Sequence, residues 1–311
     1  MKFIIRLICN ITLLVIPLAA RNSGDSLAIA MGDYLFQNKN YPAAITEYKR
    51  ALFINPTAAH NAYLWVQLAQ AYEHLAQFET ATVYYKKAVA LPISSPLAFK
   101  IRFWLALDYL RLQKFPLANL EFFKVERLTA DKRFKINAQA FRVLILIQQR
   151  QWKQALQTFR RLRQIWDVPP TVQPLFQEIE TLLQILVTQP YRKSPTTAKW
   201  LSTVLPGAGQ MYAGDWRNGL NALLLNVGTT YLLWQSITIR SILDLTLIGS
   251  FVWWRYYEGN RFRAETIARN KNIMYQRKVE RQLLERLSQL APYLPAVQLH
   301  FTAEDFQGRN Q

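Results

Sequence analysis

One cysteine, Cys9, stands in a chain of 311 residues, which excludes an intramolecular disulfide and any multi-cysteine zinc site. Histidine is nearly as scarce. His60, His74 and His300 show no metal-ligand spacing, and no Ser/His/Asp set suggests a nucleophilic triad. Glycine (10) and proline (14) are too few for a collagen-like or linker-dominated chain. Negative charge is short as well: 20 Asp+Glu face 38 Lys+Arg, giving a net charge of +18. Such a surplus points to an anionic partner, whether nucleic acid, acidic protein or lipid surface. What is plentiful is apolar residues, at 51%, against 19% charged, so the chain can bury a core and global disorder is excluded. The length allows about two domains.

The positive charge is uneven. Residues 100–170 hold fifteen basic and five acidic residues, and a second excess surrounds the apolar stretch after residue 190. Nucleic-acid binding, anionic-lipid binding and ordinary solvated helix faces all fit the first excess. Anionic lipid fits the second.

The N-terminus reads Met1-Lys2-Phe3-Ile4-Ile5-Arg6, then an apolar run to Leu18, then Ala19-Ala20 before polar Arg21-Asn22. A basic start, a short apolar core and a small-residue end predict a signal peptide over 1–20. The alternative is an uncleaved anchor, since 3–20 is just long enough to span. Cleavage after Ala20 would leave a mature chain without cysteine, which suits an oxidising compartment.

From residue 25 an all-α pattern repeats every 37 residues. Ala44, Ala81, Ala118 and Ala155 share one register. Tyr48, Tyr85, Phe122 and Phe159 follow four places later, and Tyr41, Phe78, Phe115 and Trp152 stand three places earlier. A period of 20–50 with two helices per unit means a solenoid. A lone helix pair cannot bury its apolar face, so neighbours must stack, with alanine where helices cross and aromatics in the wider gaps. Asp167-Val168-Pro169-Pro170 stops the fourth unit. A stripe of Leu175, Phe176, Ile179, Leu182, Leu183 and Leu186 then predicts a capping helix over 173–188.

Trp65, Leu68, Ala69, Tyr72, Ala81, Tyr85 and Ala88 in the second unit resemble the tetratricopeptide repeat. The first unit keeps Gly32, Ala44, Tyr48, Ala51 and Pro56, and the third keeps Leu105, Ala106, Tyr109, Ala118 and Phe122. The usual period is 34, so each unit has about three extra residues, expected in the turns between units. The resemblance covers roughly 25–167. It implies a concave groove, lined by the first helix of each unit, that binds extended or helical peptides. Carried over by position, the lining is Asp33, Phe36, Gln37, Tyr63, Gln70, Glu73, His74, Phe103, Leu107, Arg111, Ala140, Leu144 and Gln148. That mixture predicts an apolar-anchored peptide, helix or protein face. The alternative is that these residues pack on the protein's own C-terminal half.

A linker is expected at 189–196, and then a membrane module over 197–290. Leu220 to Ile239 is 20 residues without a charge, about 30 Å of helix. Leu245 to Trp254 is apolar again and ends in a Trp/Tyr cluster, as at a lipid interface. The expectation is a transmembrane hairpin with Arg240 and Asp244 at its turn; a buried two-helix core of a soluble domain is the alternative. Ahead of it stand Leu205, Pro206, Gly207, Gly209, Gln210, Tyr212 and Gly214. Their spacing fits neither dinucleotide nor P-loop glycines. They resemble a Leu-Pro-Gly-x-Gly-Gln-x-Tyr-x-Gly motif of small bacterial membrane domains, a resemblance covering about 195–275. It implies an envelope setting and no chemistry. Residues 258–290 predict a basic amphipathic helix with Ile267, Met274, Val279, Leu283, Leu287 and Leu290 on one side, and 291–311 a tail.

The expected fold is therefore all-α: a tetratricopeptide-like helical solenoid over 25–188, then a transmembrane hairpin and a basic amphipathic helix. The expected function is a non-enzymatic, membrane-anchored scaffold of the bacterial cell envelope. Its solenoid is exported and meets other envelope proteins, and its second half meets membrane lipid. No cofactor, nucleic acid or small-molecule substrate is expected. The alternatives are a nucleic-acid or anionic-lipid binder using the 100–170 face, and a membrane-embedded enzyme using Asp244 or Asn226. The basic residues beside the hairpin oppose the exported topology under the positive-inside rule.

Overall fold

The computed structural model describes residues 24–55, 62–188, 192–239 and 242–297. The expected signal peptide, the turn at Arg240 and the last fourteen residues lie outside them. Every element among the described residues is helical. The chain forms two compact units, one up to Glu180 together with the segment from Ser288, the other Thr181–Leu287.

The first unit is four helix pairs: α1 (Gly24–Gln37) with α2 (Tyr41–Ile54), α3 (Ala62–His74) with α4 (Phe78–Val89), α5 (Ser95–Arg111) with α6 (Phe115–Leu128), and α7 (Lys132–Gln148) with α8 (Trp152–Ile165). Each helix packs on the next in sequence. The 37-residue registers have the packing roles their residue types suggest. The four alanines and the four aromatics Tyr48, Tyr85, Phe122 and Phe159 are all fully buried. Tyr41, Phe78, Phe115 and Trp152 each open a second helix and are half-buried. Gly32 is small for a definite reason: a Cβ there would lie 2.6 Å from the Tyr48 ring.

The same period appears in the backbone. Lys39, Ala76, Gln113 and Arg150, each 37 residues apart, have φ near +60° (61, 56, 57 and 56°). Each sits just past a first helix and closes a Schellman turn, as when Gln77 N–H donates to Tyr72 C=O at 2.9 Å and Ala76 N–H to Glu73 C=O at 2.8 Å. A left-handed residue with a side chain costs roughly 1–2 kcal/mol. The tight turn therefore recurs four times at positions that are not glycine.

The extra length per repeat is only partly in the turns. In the third and fourth units the first helices, α5 and α7, run to 17 residues each. The connection between those units is short, at 129–131. The longer helices carry Phe99, Phe103, Phe134 and Phe141, which pack edge-on or stacked around Phe122.

The second unit is built differently. Its helices are α10 (Pro195–Val204), α11 (Ala208–Tyr212), α12 (Trp216–Thr238), α13 (Ile242–Leu247) and the long α14 (Trp254–Leu290). Helix α9 (Gln173–Thr188) has the bounds expected of a capping helix, and its last turns belong to the second unit. A π-helical turn, Ile248–Trp253, joins α13 to α14, so the second apolar segment and the basic helix are one run without a break.

The expected transmembrane hairpin is not found: among the described residues, no helix is long and apolar enough to cross a membrane. Helix α12 has the length but is interrupted by Asn218, Asn221, Asn226, Thr229, Gln235 and Ser236. Its arrangement is inverted. Asn226, Thr229 and Ser236 are buried, whereas Leu220, Leu224, Val227, Tyr231 and Trp234 are exposed. The buried polar groups bond to their own helix: Asn226 Nδ2 donates to Ala222 C=O at 2.8 Å and Ser236 Oγ to Leu232 C=O at 2.9 Å.

The stripe on α14 also differs from expectation. Ala264, Ala268, Asn272, Val279, Leu283, Leu287 and Leu290 are buried, while Met274 is exposed. Two residues of the expected linker are tied down: Asn272 Oδ1 accepts from the backbone N–H groups of Arg192 (3.1 Å) and Lys193 (3.0 Å).

Candidate functional site

The predicted groove residues divide by burial. Asp33, Phe36, Tyr63, Gln70, Phe103 and Leu107 are buried and serve the packing between units. Asp33 shows why. Its Oδ1 accepts from the Tyr48 hydroxyl (2.8 Å) and the Tyr63 hydroxyl (2.7 Å), joining the first unit to the second. Burial pushes the Asp33 carboxyl up, against the two hydroxyls, which pull it down. Both tyrosines are in turn pushed up, by burial first and then by the Asp33 charge. Gln70 is 1% exposed and neither end of its amide has a protein partner.

Gln37, His74, Arg111 and Gln148 are the last residues of the four first helices, again 37 apart. Gln37, His74 and Gln148 are exposed and Arg111 is partly so, which makes a ladder along one edge of the solenoid. Its middle is charged. Arg111 donates to Glu73 at 2.7 Å and Asp108 at 2.5 Å, and lies over the Phe78 ring at 5.1 Å. Glu73 also accepts from the buried Tyr85 hydroxyl at 2.7 Å. Burial, then the Glu73 charge, hold the Asp108 carboxyl well above the usual range. His74 stacks on Tyr41 at 4.2 Å, and its burial depresses the imidazole.

A segment of the chain lies against the solenoid at the fourth unit. After a short 3-10 turn, Ala291–Tyr293, Leu294 is extended and residues 295–297 have no regular secondary structure. Asn137 Nδ2 donates to Pro295 C=O at 2.9 Å, and Val297 packs on the hydrophobic core cluster that includes Phe99, Phe103 and Phe134. Phe103, predicted as groove lining, belongs to that cluster. Sequence reasoning missed Asn137, whose register matches Tyr63 and Lys100 and therefore gives no common residue type.

The basic surplus of 100–170 is only partly compensated, because among the acidic partners of its ion pairs just Glu73 and Glu180 come from outside the stretch. Arg102 pairs with Glu121, Arg142 with Glu126, Lys132 with Asp167, and Arg160 with Glu180, and at least eight of the fifteen basic residues are held in ion pairs.

In the second unit the glycine motif is a packing device. A Cβ on Gly209 would meet Ala198 C=O at 1.9 Å, and one on Gly207 would meet Gly219 C=O at 2.2 Å. Helices α10, α11 and α12 thus touch backbone to backbone, as small residues permit. Gly207 and Gly214 also have φ of +94 and +84°, which glycine alone adopts readily. Gln210 is buried. Its Oε1 accepts from Ser202 Oγ at 2.9 Å, and its Nε2 donates to the Asn260 side chain. Tyr212 accepts from Ser194 N–H at 3.2 Å. Leu205, by contrast, is exposed, and Pro206 is half-buried. Ser202 and Asn260 complete this latch, and Asn260 lies fifty residues from Gln210, so spacing alone does not reveal it.

Between α12 and α14 lies a cavity of about 490 Å³ lined by Asn218, Asn221, Asn226, Arg255, Gly259 and Arg263, with Gln210, Asn260 and apolar Ala222, Leu225 and Tyr256. Among the described residues no group of His, Cys, Asp or Glu is placed to hold a metal ion.

Two comparisons bear on these surfaces. No curated protein matches the chain. The family model for the tetratricopeptide repeat matches residues 62–92, the α3–α4 pair and the turn after it. That pair supplies Tyr63, Gln70, Glu73 and His74, and a tetratricopeptide repeat is therefore present at residues 62–92, within an all-helical chain.

Proposed function

We propose that the protein is a non-enzymatic scaffold of the bacterial cell envelope whose solenoid binds extended segments of partner proteins and whose second unit rests on membrane lipid. Tetratricopeptide repeats generally mediate protein–protein interaction. The observation that carries the reading is the seat of residues 294–297: a non-helical segment held by a side-chain amide on its backbone carbonyl and by an apolar side chain against the solenoid's hydrophobic core. Amide-to-backbone bonds leave sequence free, and apolar pockets select side chains, which is how extended peptides are recognised. The chain's own segment thus acts as the prototype of the ligand.

The test uses the chain ended at Leu290 and a labelled peptide of residues 291–300. Fluorescence anisotropy should show binding in trans, weakened three- to tenfold by Asn137→Ala, the loss expected for one hydrogen bond of about 0.5–1.5 kcal/mol. A folded truncated chain that leaves the peptide free would overturn the proposal.

The membrane part is supported by the inverted helix α12. Exposing a row of Leu, Val, Tyr and Trp while burying Asn, Thr and Ser is unfavourable in water and favourable against lipid. Exposed Trp200, Trp216 and Trp254 add the ring types favoured at a lipid interface. This reading requires contact with the bilayer, not passage across it. The basic start and apolar run of 1–20 support export.

A further inference from the structure

We propose that the cavity between α12 and α14 is a binding site for the headgroup of an anionic glycerophospholipid that carries a free hydroxyl, as phosphatidylglycerol does. The inference deepens the membrane reading of the second unit and rests on it.

The charge of the cavity sets the sign of the ligand. No carboxylate lines it, while Arg255 and Arg263 do. Neither arginine has an ion-pair partner among the described residues, although neighbouring Arg261 pairs with Glu258 and Arg269 with Glu265. Arg255, Gly259 and Arg263 are spaced four apart, so they share one face of α14. Two guanidinium groups on that face match the oxygens of a phosphodiester.

Asn226 supplies a second, independent requirement. It is 5% exposed and lines the cavity. Its Nδ2 is engaged with Ala222 C=O, and its Oδ1 is buried with no partner. A buried carbonyl oxygen without a donor is costly, so the missing group is a donor. A phosphodiester alone offers none; a headgroup hydroxyl does.

Gly259 leaves the cavity wall open on the α14 side. Glycine inside a helix costs about 0.5–1 kcal/mol relative to alanine. Gly32, Gly207 and Gly209 are forced by close neighbours, but a Cβ on Gly259 would meet nothing within 4 Å. No described residue packs against it, and the same holds for Gly228 on α12. The cavity volume of about 490 Å³ lies in the usual range for small-molecule sites.

The lipid source is favoured over a free phosphate ester by what adjoins the cavity. Leu225 and Tyr256 are part of the lining, and exposed Leu224, Val227 and Tyr231 continue along α12. Acyl chains would lie on that row while the headgroup fills the polar end.

The test uses the full chain and vesicle flotation, at matched surface charge, with phosphatidylcholine alone, with added phosphatidylglycerol, and with added phosphatidic acid, which lacks the hydroxyl. Dihexanoyl-phosphatidylglycerol and glycerol 3-phosphate are titrated in solution by tryptophan fluorescence. The proposal predicts at least fivefold preference for phosphatidylglycerol over phosphatidic acid. It predicts loss of that preference in Gly259→Leu and in R255Q/R263Q, with binding to phosphatidylcholine retained. Circular dichroism checks folding, and the arginine pair, being exposed, keeps the test open if Gly259→Leu does not fold. Equal binding of all anionic vesicles, or preference unchanged in both variants, overturns the site and leaves the membrane reading standing. Glycerol 3-phosphate binding as tightly as the short-chain lipid overturns the lipid source. Short-chain lipid bound in a variant-sensitive way, without vesicle binding, supports the site and contradicts the membrane reading.

Discussion

Replacing Arg111 with methionine probes the charged centre of the solenoid edge. Arg111 joins two units by bonding Glu73 of α3 and Asp108 of α5, at 2.7 and 2.5 Å. The Glu73 and Asp108 side chains are 10% and 0% exposed. Removing one partner of a buried ion pair costs about 3–5 kcal/mol, because the charge left behind has neither water nor counterion. Arg111 itself is 19% exposed, so water can partly replace it and the lower end, about 3 kcal/mol, applies. Methionine keeps the apolar stem over Phe78, which isolates the charge.

The cost should depend on pH. The Asp108 carboxyl is already raised by burial and the Glu73 charge. A raised carboxyl contributes stability below its unfolded value, about 3.9, and loses it as pH rises through the folded value. Removing Arg111 raises it further. The deficit of Arg111→Met relative to the parent chain should then be about 3 kcal/mol at pH 7.5 and clearly smaller at pH 4.5. Urea unfolding followed by circular dichroism at the two pH values measures this. A deficit below about 1 kcal/mol at pH 7.5, or one equal at both, would refute the reasoning.

Other substitutions test the packing. Ala76→Gly relieves a left-handed alanine at φ 56° and should leave the chain as stable or up to about 1 kcal/mol more stable in urea, after the added freedom of the unfolded chain is offset; a loss would contradict the Schellman reading. Gly32→Ala drives a methyl group against the Tyr48 ring and should cost about 1–3 kcal/mol in the same assay. Gly209→Ala should loosen the second unit, seen as faster hydrogen exchange in α10 and α11, whereas Gly259→Ala should not; equal effects would show that the glycines are not distinguished by their neighbours. For export, a cysteine placed at Glu79 should react with a membrane-impermeant maleimide in intact cells, and reaction only after the inner membrane is breached would contradict an exported solenoid.

The repeat was legible because each register has one packing role and one residue type. A crossing point admits alanine and the gap beside it an aromatic ring, and four copies restate the rule. Asp33, Phe36, Tyr63 and Phe103 were harder to place. They lie on the first helices that family resemblance assigns to a groove, but in a tightly stacked solenoid such positions also join neighbouring units. Burial separates the two roles, and sequence does not show burial. The Asn137 contact was hidden for another reason: its partner, Pro295, lies 158 residues away, and a backbone carbonyl leaves no mark in sequence. Helix α12 drew the expectation of a span from its lack of charge, yet its three asparagines and buried hydroxyl side chains make it too polar. The glycine motif stands out in the sequence, but its hydrogen-bond partners Ser202 and Asn260 emerge only when α10 meets α14.

The measurement that bears most directly on how the second unit works is the environment of the α12 face. In a Cys9→Ser background, a fluorophore on a single cysteine at Leu224, and in a second chain at Tyr231, is exposed to vesicles containing lipids brominated along the acyl chain. A third label at Glu79 on the solenoid serves as reference. The account predicts strong quenching at Leu224 and Tyr231 and none at Glu79. Labels at Leu224 and Tyr231 that stay unquenched by brominated lipid, yet open to aqueous iodide, would contradict it.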